Sequence, residues 1–209
     1  MRILLTAGPT REYLDPVRYL SNASSGKLGA AIAARARELS HHVTLIWGPA
    51  SEEPPEVDSL VRITSAADMY EAVLARFDGC DVFIAAAAVC DYRPVRREDK
   101  KIKKVEGKVA LELERTADIL AQMGKRRRKQ TLVGFCLETE DLERRARGKL
   151  EAKRLDLVVA NGPEAIGADR FDALLITARG TERLAGVGKG DLAARIIEIV
   201  GALRREGRG

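Results

Sequence analysis

Apolar residues along this chain fall into two alternating rhythms. Largely apolar runs at 1–6, 43–47, 81–89, 131–136, 155–160 and 173–177 read as buried strands, the last of them the final strand. Between them, 28–39, 66–76, 118–123, 142–153 and 192–204 carry apolar residues at helical spacing. Ser65 stands where the second helix needs its cap, and Gly48-Pro49 closes the second strand. Residues 61–63 and the alternating 109–113 predict further short strands, and 205–209 a frayed tail. The opening strand, loop, helix and strand occupy about fifty residues, the length of one parallel crossover unit.

Composition narrows the class. The chain has 209 residues, 45% of them hydrophobic, enough for one domain over 1–209 with a sizeable core. Aromatics make up only 4%, so the core must rest on Ala, Val, Leu and Ile. That predicts an α/β layered protein and argues against an aromatic stacking surface for single-stranded nucleic acid. A net charge of +5 admits anionic ligands without demanding a polynucleotide. Cys80, Cys90 and Cys136 lack metal-ligand spacing and read as reduced thiols. The adjacent His41 and His42 read as a polar turn. No apolar run is long enough to span a bilayer, and the first strand begins without a signal segment. The expectation is a cytoplasmic protein with no membrane partner.

Candidate chemistry gathers where strands end. Ser21 to Gly29, reading SNASSGKLG, precedes the first helix. Small hydroxyl residues and glycines there either cap the helix or leave its N–H groups free to hold phosphate. Asn22 adds a carboxamide that both donates and accepts. Neither G-x-G-x-x-G nor a Walker loop is present. Asp91 follows the buried run 81–89 and is either a ligand group or a turn cap. Residues 95–108 crowd Arg96, Arg97, Lys100, Lys101, Lys103, Lys104 and Lys108 together. Such a run is a solvated loop, or a flap over a polyanion that is extended or mobile until the anion arrives. A second cluster, GKRRRKQ at 124–130, reads as an exposed helix end, because no aromatics interleave it. Lys149 and Lys153 share a helix face.

The segments TAGPTREYLDPVRYLSNASSGKLG, AAAAVCDYRP, KIKK, ADIL, GFCLETE and KLEAKRLDLVVAN follow one another in this order. On them the chain resembles the phosphopantothenate–cysteine ligases, from residue 2 to about residue 200. The resemblance implies a Rossmann-like three-layer sandwich with a mainly parallel sheet and a basic active-site flap at about 95–108. It implies a coenzyme A reaction: CTP activates the carboxylate of 4′-phosphopantothenate, pyrophosphate leaves, and the amine of L-cysteine attacks the acyl-cytidylate. Mg²⁺ is expected with the triphosphate, on ligands the sequence does not name, and no flavin. In many bacteria this ligase is the C-terminal half of a bifunctional protein with a flavin-dependent decarboxylase, so a separate decarboxylase is a candidate partner. A homodimer is also implied.

By the same resemblance, Asn22 and Lys101 are catalytic, Asn22 for converting the acyl nucleotidylate and Lys101 for forming it. Ser24, Ser25 and Gly26 lie near the triphosphate; Asp91, Ala117, Asp118, Ile119, Leu120, Phe135, Lys149 and Lys153 match nucleotide contacts. Ala87, Ala88 and Asn22 match substrate contacts, and Arg18 an arginine that reaches the substrate phosphate across a dimer interface. Four departures stand out. The family's N-P-D-I is Thr116-Ala117-Asp118-Ile119, which removes a rigid proline. Leu137 replaces a smaller residue and is expected to reshape the pocket, Cys90 stands for Ala before Asp91, and Asn161-Gly162 stands for N-D. The alternatives are a non-catalytic nucleotide-binding module of Rossmann type, or the same ligase using ATP. A carbonyl reductase would need a Tyr-x-x-x-Lys pair, which neither Tyr70 nor Tyr92 begins.

Overall fold

A computed structural model describes residues 1–206. The chain opens with β1 (Arg2–Ala7), turns through a hairpin of β2 (Arg11–Tyr13) and β3 (Tyr19–Ser21), and enters α1 (Lys27–Glu38). β4 (His42–Trp47), β5 (Ser59–Arg62), α2 (Ala66–Phe77) and β6 (Val82–Ala85) follow. A second hairpin, β7 (Tyr92–Pro94) with β8 (Leu113–Arg115), precedes α3 (Ile119–Arg126) and β9 (Thr131–Leu137). The chain ends with α4 (Leu142–Ala152), β10 (Leu157–Asn161), β11 (Arg170–Thr177), β12 (Gly180–Gly188) and α5 (Lys189–Glu206). Eight strands make one sheet in the order β12-β11-β10-β9-β6-β1-β4-β5. The six from β10 to β5 run parallel; β11 and β12 are antiparallel additions at one edge.

Alternation along the strands builds two core layers. Ile3, Leu5 and Ala7 of β1 pack with Ile32 and Ala36 of α1 and Ile196 and Val200 of α5. Leu4 points the other way, into a layer with Met69 and Phe77 of α2, Met123 of α3 and Leu150 of α4. The result is the three-layer α/β arrangement expected. Ser65 caps α2 as expected, in a reciprocal box: its Oγ accepts the Asp68 N–H at 3.1 Å, and Asp68 Oδ2 accepts the Ser65 N–H at 2.8 Å. The buried Glu12 adds Oε1 as acceptor for the Ala66 N–H at 2.7 Å.

Several boundaries differ from the sequence reading. The run 81–89 is a strand only over Val82–Ala85; past it the chain follows the loop after β1, with the Ala88 N–H on the Gly8 carbonyl and the Thr10 N–H on the Ala88 carbonyl. The alternating 109–113 is not a strand: Val109, Leu111 and Leu113 all face solvent, with no layer to bury them, and pairing begins only at Leu113. The strand at 173–177 starts at Arg170 and is not the last, since β12 extends the sheet edge. The final helix starts at Lys189, three residues before 192, and Arg205 and Glu206 of the expected frayed tail belong to it; 207–209 lie outside the described residues. No helix among the described residues is long and apolar enough to cross a membrane.

Helix α1 lies unusually close to β1. A Cβ on Gly29 would sit 2.2 Å from the Ala7 Cβ. Gly29→Ala is expected to cost about 1–3 kcal/mol by overpacking, seen as a fall of roughly 2–10 °C in Tm by calorimetry. An unchanged Tm would mean that this contact does not set the helix position.

Candidate active site

Strand order reverses between β1 and β6, and the carboxyl ends of the parallel strands open there, where α/β sheets place ligands. Two cavities meet at that edge. The larger, about 640 Å³, lies on the α3–α4 side and is lined by residues including Ala87, Ala88, Ala117, Asp118, Ile119, Leu120 and Phe135. The smaller, about 490 Å³, is walled by residues 22–29 and, opposite, by Phe171 and Lys189. Ala86, Ala88, Asp91, Leu137 and Asn161 line both, so they form a shared waist.

The wall at 22–29 is an open helix end. Gly26 is the N-cap of α1 in the left-handed conformation (φ 83°), and no side chain caps the helix. A Cβ there would meet the Trp47 ring at 2.9 Å, so glycine lets the backbone lie on that ring. The Lys27 N–H donates to Ser25 Oγ at 3.4 Å, and the helix dipole with the Leu28 and Gly29 N–H groups lies at the cavity beside Ser24 and Ser25. Lys27 pairs with Glu52 at 3.7 Å. Across the cavity, Lys189 donates to the Ala168 carbonyl and lies 5.7 Å from the Phe171 ring centre. Among the described residues no carboxylate pairs with it. It therefore offers an uncompensated positive charge to the cavity.

Asn22 lines the smaller cavity beside the waist and is latched. Its Nδ2 donates to the carbonyls of Ala88 (3.1 Å) and Val89 (3.0 Å). Both amide hydrogens are used, so the carboxamide oxygen is left to act, and that oxygen can only accept. Asn22 is thus unable to donate to a carboxylate while the latch holds.

The larger cavity carries a charged floor. Asp118 caps α3, with Oδ1 accepting the Ala121 N–H at 2.9 Å, and its Oδ2 pairs with Lys153 at 2.7 Å. Burial acts to raise the Asp118 pKa, but Lys153 and the Ala121 N–H outweigh it and hold the group below the ordinary carboxylate value. Lys149 donates to the Phe135 carbonyl at 2.5 Å. Burial, then the neighbouring Lys153, push its pKa below the usual lysine value, with Cys136, Asp118 and Asp91 opposing. The loop before α3 needs no proline: Thr116 donates through Oγ1 to the Cys90 carbonyl (2.6 Å) and through N–H to the Asp91 carbonyl (2.9 Å). Cys90 itself is buried, its N–H on Thr10 Oγ1 at 3.0 Å.

Lys101 and Arg18 line neither cavity. Lys101 is exposed on the flap, and Arg18 is tied to Asp15 at 2.6 Å and to the Ile102 carbonyl at 3.0 Å. The flap has no helix or strand over 95–108, as its charge predicts, and it is tied to the first hairpin. Ile102 N–H donates to Asp15 Oδ2 at 3.0 Å, the Glu98 N–H donates to the Leu14 carbonyl at 2.9 Å, and Arg97 covers the Tyr13 ring. Residues 95–108 are thus an irregular segment, as expected, with contacts to Tyr13, Leu14 and Asp15 that the sequence does not reveal.

Burial works to raise the Asp15 pKa, but the N–H groups of Val17, Ile102 and Arg18, with the Arg18 guanidinium, bring it down to about 2. The folded value lies below the ordinary carboxylate value of about 3.9, so the anchor contributes fully above about pH 4 and is lost as pH falls toward 2. The Ile102 amide shift should titrate with a midpoint near 2. A midpoint near 4 would mean the carboxylate is not held this way.

In the sequence, Thr116 and Asn161 stand out only within departures from the family pattern, and Lys189, Phe171 and Asp15 carry no assigned role. Thr116 sits beside a quoted motif and Asp15 inside one, so their positions were in view but not their partners. Lys189 and Phe171 reach the cavity only by tertiary folding. In the GKRRRKQ cluster, Arg126 pairs with Asp78 at 2.5 Å and Arg127 with Asp156 at 2.9 Å, which fits an exposed helix end.

Comparison with known proteins bears on this site. The family described as DFP, DNA/pantothenate metabolism flavoprotein C-terminal domain, matches residues 1–203. The coenzyme A biosynthesis bifunctional protein CoaBC of Bacillus subtilis is 43% identical over 210 residues, covering 98% of this chain and 52% of that protein. The chain thus spans about half the length of the curated relatives it matches. A crystal structure of the C-terminal domain of a CoaBC protein superposes with a TM-score of 0.85 at 37% identity, over 98% of this chain and 96% of that one. The DNA/pantothenate metabolism flavoprotein from Streptococcus pneumoniae gives 0.86 at 26% identity, over 97% and 99%.

Proposed function

Because the chain belongs to the DFP family, the DNA/pantothenate metabolism flavoprotein C-terminal domain, we propose that it is a phosphopantothenate–cysteine ligase acting in coenzyme A biosynthesis with CTP. The observation that carries the reading is the shared waist. A cavity of nucleoside size and an anion cradle meet at Asp91 and Ala88, with Asn22 beside them. A nucleoside triphosphate laid through both would present its α-phosphorus there.

The chemistry then follows from charge. The carboxylate of 4′-phosphopantothenate attacks the α-phosphorus, a new O–P bond forms, and the bond to pyrophosphate breaks. The α1 N-terminus and Lys189 take up the negative charge of the departing pyrophosphate. Lys101 brings a further cation from the flap. The amine of L-cysteine next attacks the acyl carbon, a C–N bond replaces the acyl–phosphate bond, CMP leaves, and the amine gives up a proton. The Asn22 oxygen suits this second step, because it can accept an N–H from the attacking amine. No nucleophilic side chain is needed, since the nucleotide carries the acyl group.

Mg²⁺ would travel with the triphosphate and supply charge neutralisation when bound. Among the described residues no group of three His, Cys, Asp or Glu could hold a metal. That fits an ion held mainly by substrate phosphates and one carboxylate, for which Asp91 is placed, facing both cavities. Leu137, a departure from the family pattern, and Asn161, which precedes the departure at Gly162, also line the waist and are the residues to vary in a test of base preference.

A homodimer is part of the proposal. Among the described residues, eight of the twelve exposed large hydrophobic side chains fall at 17–19 and 92–113, on the two hairpins and the flap. A second copy covering that face would bury them. Sedimentation should show a dimer at micromolar concentration; a monomer throughout would count against this and against a role for Arg18 across an interface.

Titration calorimetry tests the binding reading. Mg-CTP should bind and NADPH should not. Tight NADPH binding without CTP binding would replace the ligase with a dinucleotide module.

A further inference from the structure

Asp15 is wholly buried and charged, lines neither cavity, and the proposed reaction does not use it directly. Its Oδ1 accepts the N–H groups of Val17 (2.7 Å) and Arg18 (2.9 Å), closing a local turn. Its Oδ2 does something different, accepting the Ile102 N–H at 3.0 Å and the Arg18 guanidinium at 2.6 Å. That same guanidinium nitrogen donates to the Ile102 carbonyl at 3.0 Å. Both backbone polar groups of Ile102 are therefore held, across 84 or more positions of sequence, by one ion pair. Lys101 is the residue before.

The physical need for such a clamp is clear from the flap's composition. Lys100, Lys101, Lys103 and Lys104 surround Ile102, all four exposed. Repulsion among them and chain entropy would spread an untethered loop over many conformations. A cation acts on a developing charge only when it is held near the reacting atoms. Pinning the peptide between 101 and 102 fixes where Lys101 leaves the backbone.

We infer that Asp15 is a positioning residue for Lys101, holding the flap through Ile102 with Arg18 as the third member of the clamp. The consequence for rate rests on the ligase reading; the anchoring itself does not.

Asp15→Asn separates the two halves of the carboxylate's work. Asparagine Oδ1 can still accept from Val17 and Arg18, while its NH₂ would face the donors of Ile102 and Arg18. Pyrophosphate release and CTP binding are measured for the wild type, Asp15→Asn, Lys101→Gln and the double variant. Trypsin cutting within 96–108 is followed in parallel. Asp15→Asn should slow release about 10–100-fold with CTP affinity within about twofold, add nothing to Lys101→Gln, and speed cutting of the flap. Wild-type release and wild-type cutting in Asp15→Asn would overturn the inference. So would a rate loss that multiplies with that of Lys101→Gln. If the wild type releases no pyrophosphate at all, the ligase reading falls while the trypsin comparison still decides the clamp. Should Asp15→Asn fail to fold, Ile102→Pro removes the N–H donor with the Asp15 turn left intact, and the same outcomes apply.

Discussion

Lys101→Gln should leave a folded, CTP-binding protein that releases pyrophosphate about 100–1,000-fold more slowly. The structure separates these effects. Lys101 is exposed, lines neither cavity and has no ion-pair partner among the described residues, so its loss should change stability by no more than about 0.5 kcal/mol. The larger cavity, the one proposed for the nucleotide, is lined by residues of α3, β9 and α4 among others. What glutamine cannot supply is positive charge at the α-phosphate as the pentavalent centre forms. Single-turnover release of pyrophosphate, with Tm and CTP affinity measured on the same preparation, checks this. Wild-type release would remove Lys101 from the mechanism, and a large loss of CTP affinity would make it a ground-state contact.

Asn22→Ala should block the other half of the reaction. Its amide hydrogens are committed to the Ala88 and Val89 carbonyls, and what remains is an acceptor beside the waist. An acceptor cannot help the carboxylate attack phosphorus, but it can orient an amine. The variant should therefore release pyrophosphate in a first turnover at a rate within severalfold of wild type, then hold an acyl nucleotidylate that cysteine consumes about 100-fold more slowly. Asn22 is exposed, so water can take over the two freed carbonyls, and the stability cost should stay near ~1 kcal/mol. Mass spectrometry of the quenched reaction reads the intermediate. No intermediate together with lost pyrophosphate release would place Asn22 in the first step.

The sequence made the parallel core legible for a physical reason. Strands β1, β4, β6, β9 and β10 are covered on both faces, so burial enforces largely apolar runs. β12 escaped notice because GTERLAGVG is a glycine-bearing edge strand with mostly polar or half-exposed positions, and no rhythm is demanded of it. The hairpin strands are three residues long, too short to show a period. The site divides in the same way. The cradle at 22–29 is continuous in sequence and readable as an open helix start, whereas Lys189 joins it from the far end of the chain. The clamp was unreadable because Asp15 and Ile102 lie 87 positions apart and meet through a backbone N–H, which carries no residue-type signal.

We propose that this chain couples nucleotide cleavage to acyl activation at the waist between the two cavities. Pyrophosphate release with 4′-phosphopantothenate and Mg²⁺, comparing CTP with ATP and with or without L-cysteine, tests it most directly. Release should require phosphopantothenate, prefer CTP and be accelerated by cysteine as the intermediate turns over. Release with ATP alone would keep the ligase and overturn the base, and folded protein that binds CTP but releases no pyrophosphate would exclude the coupling.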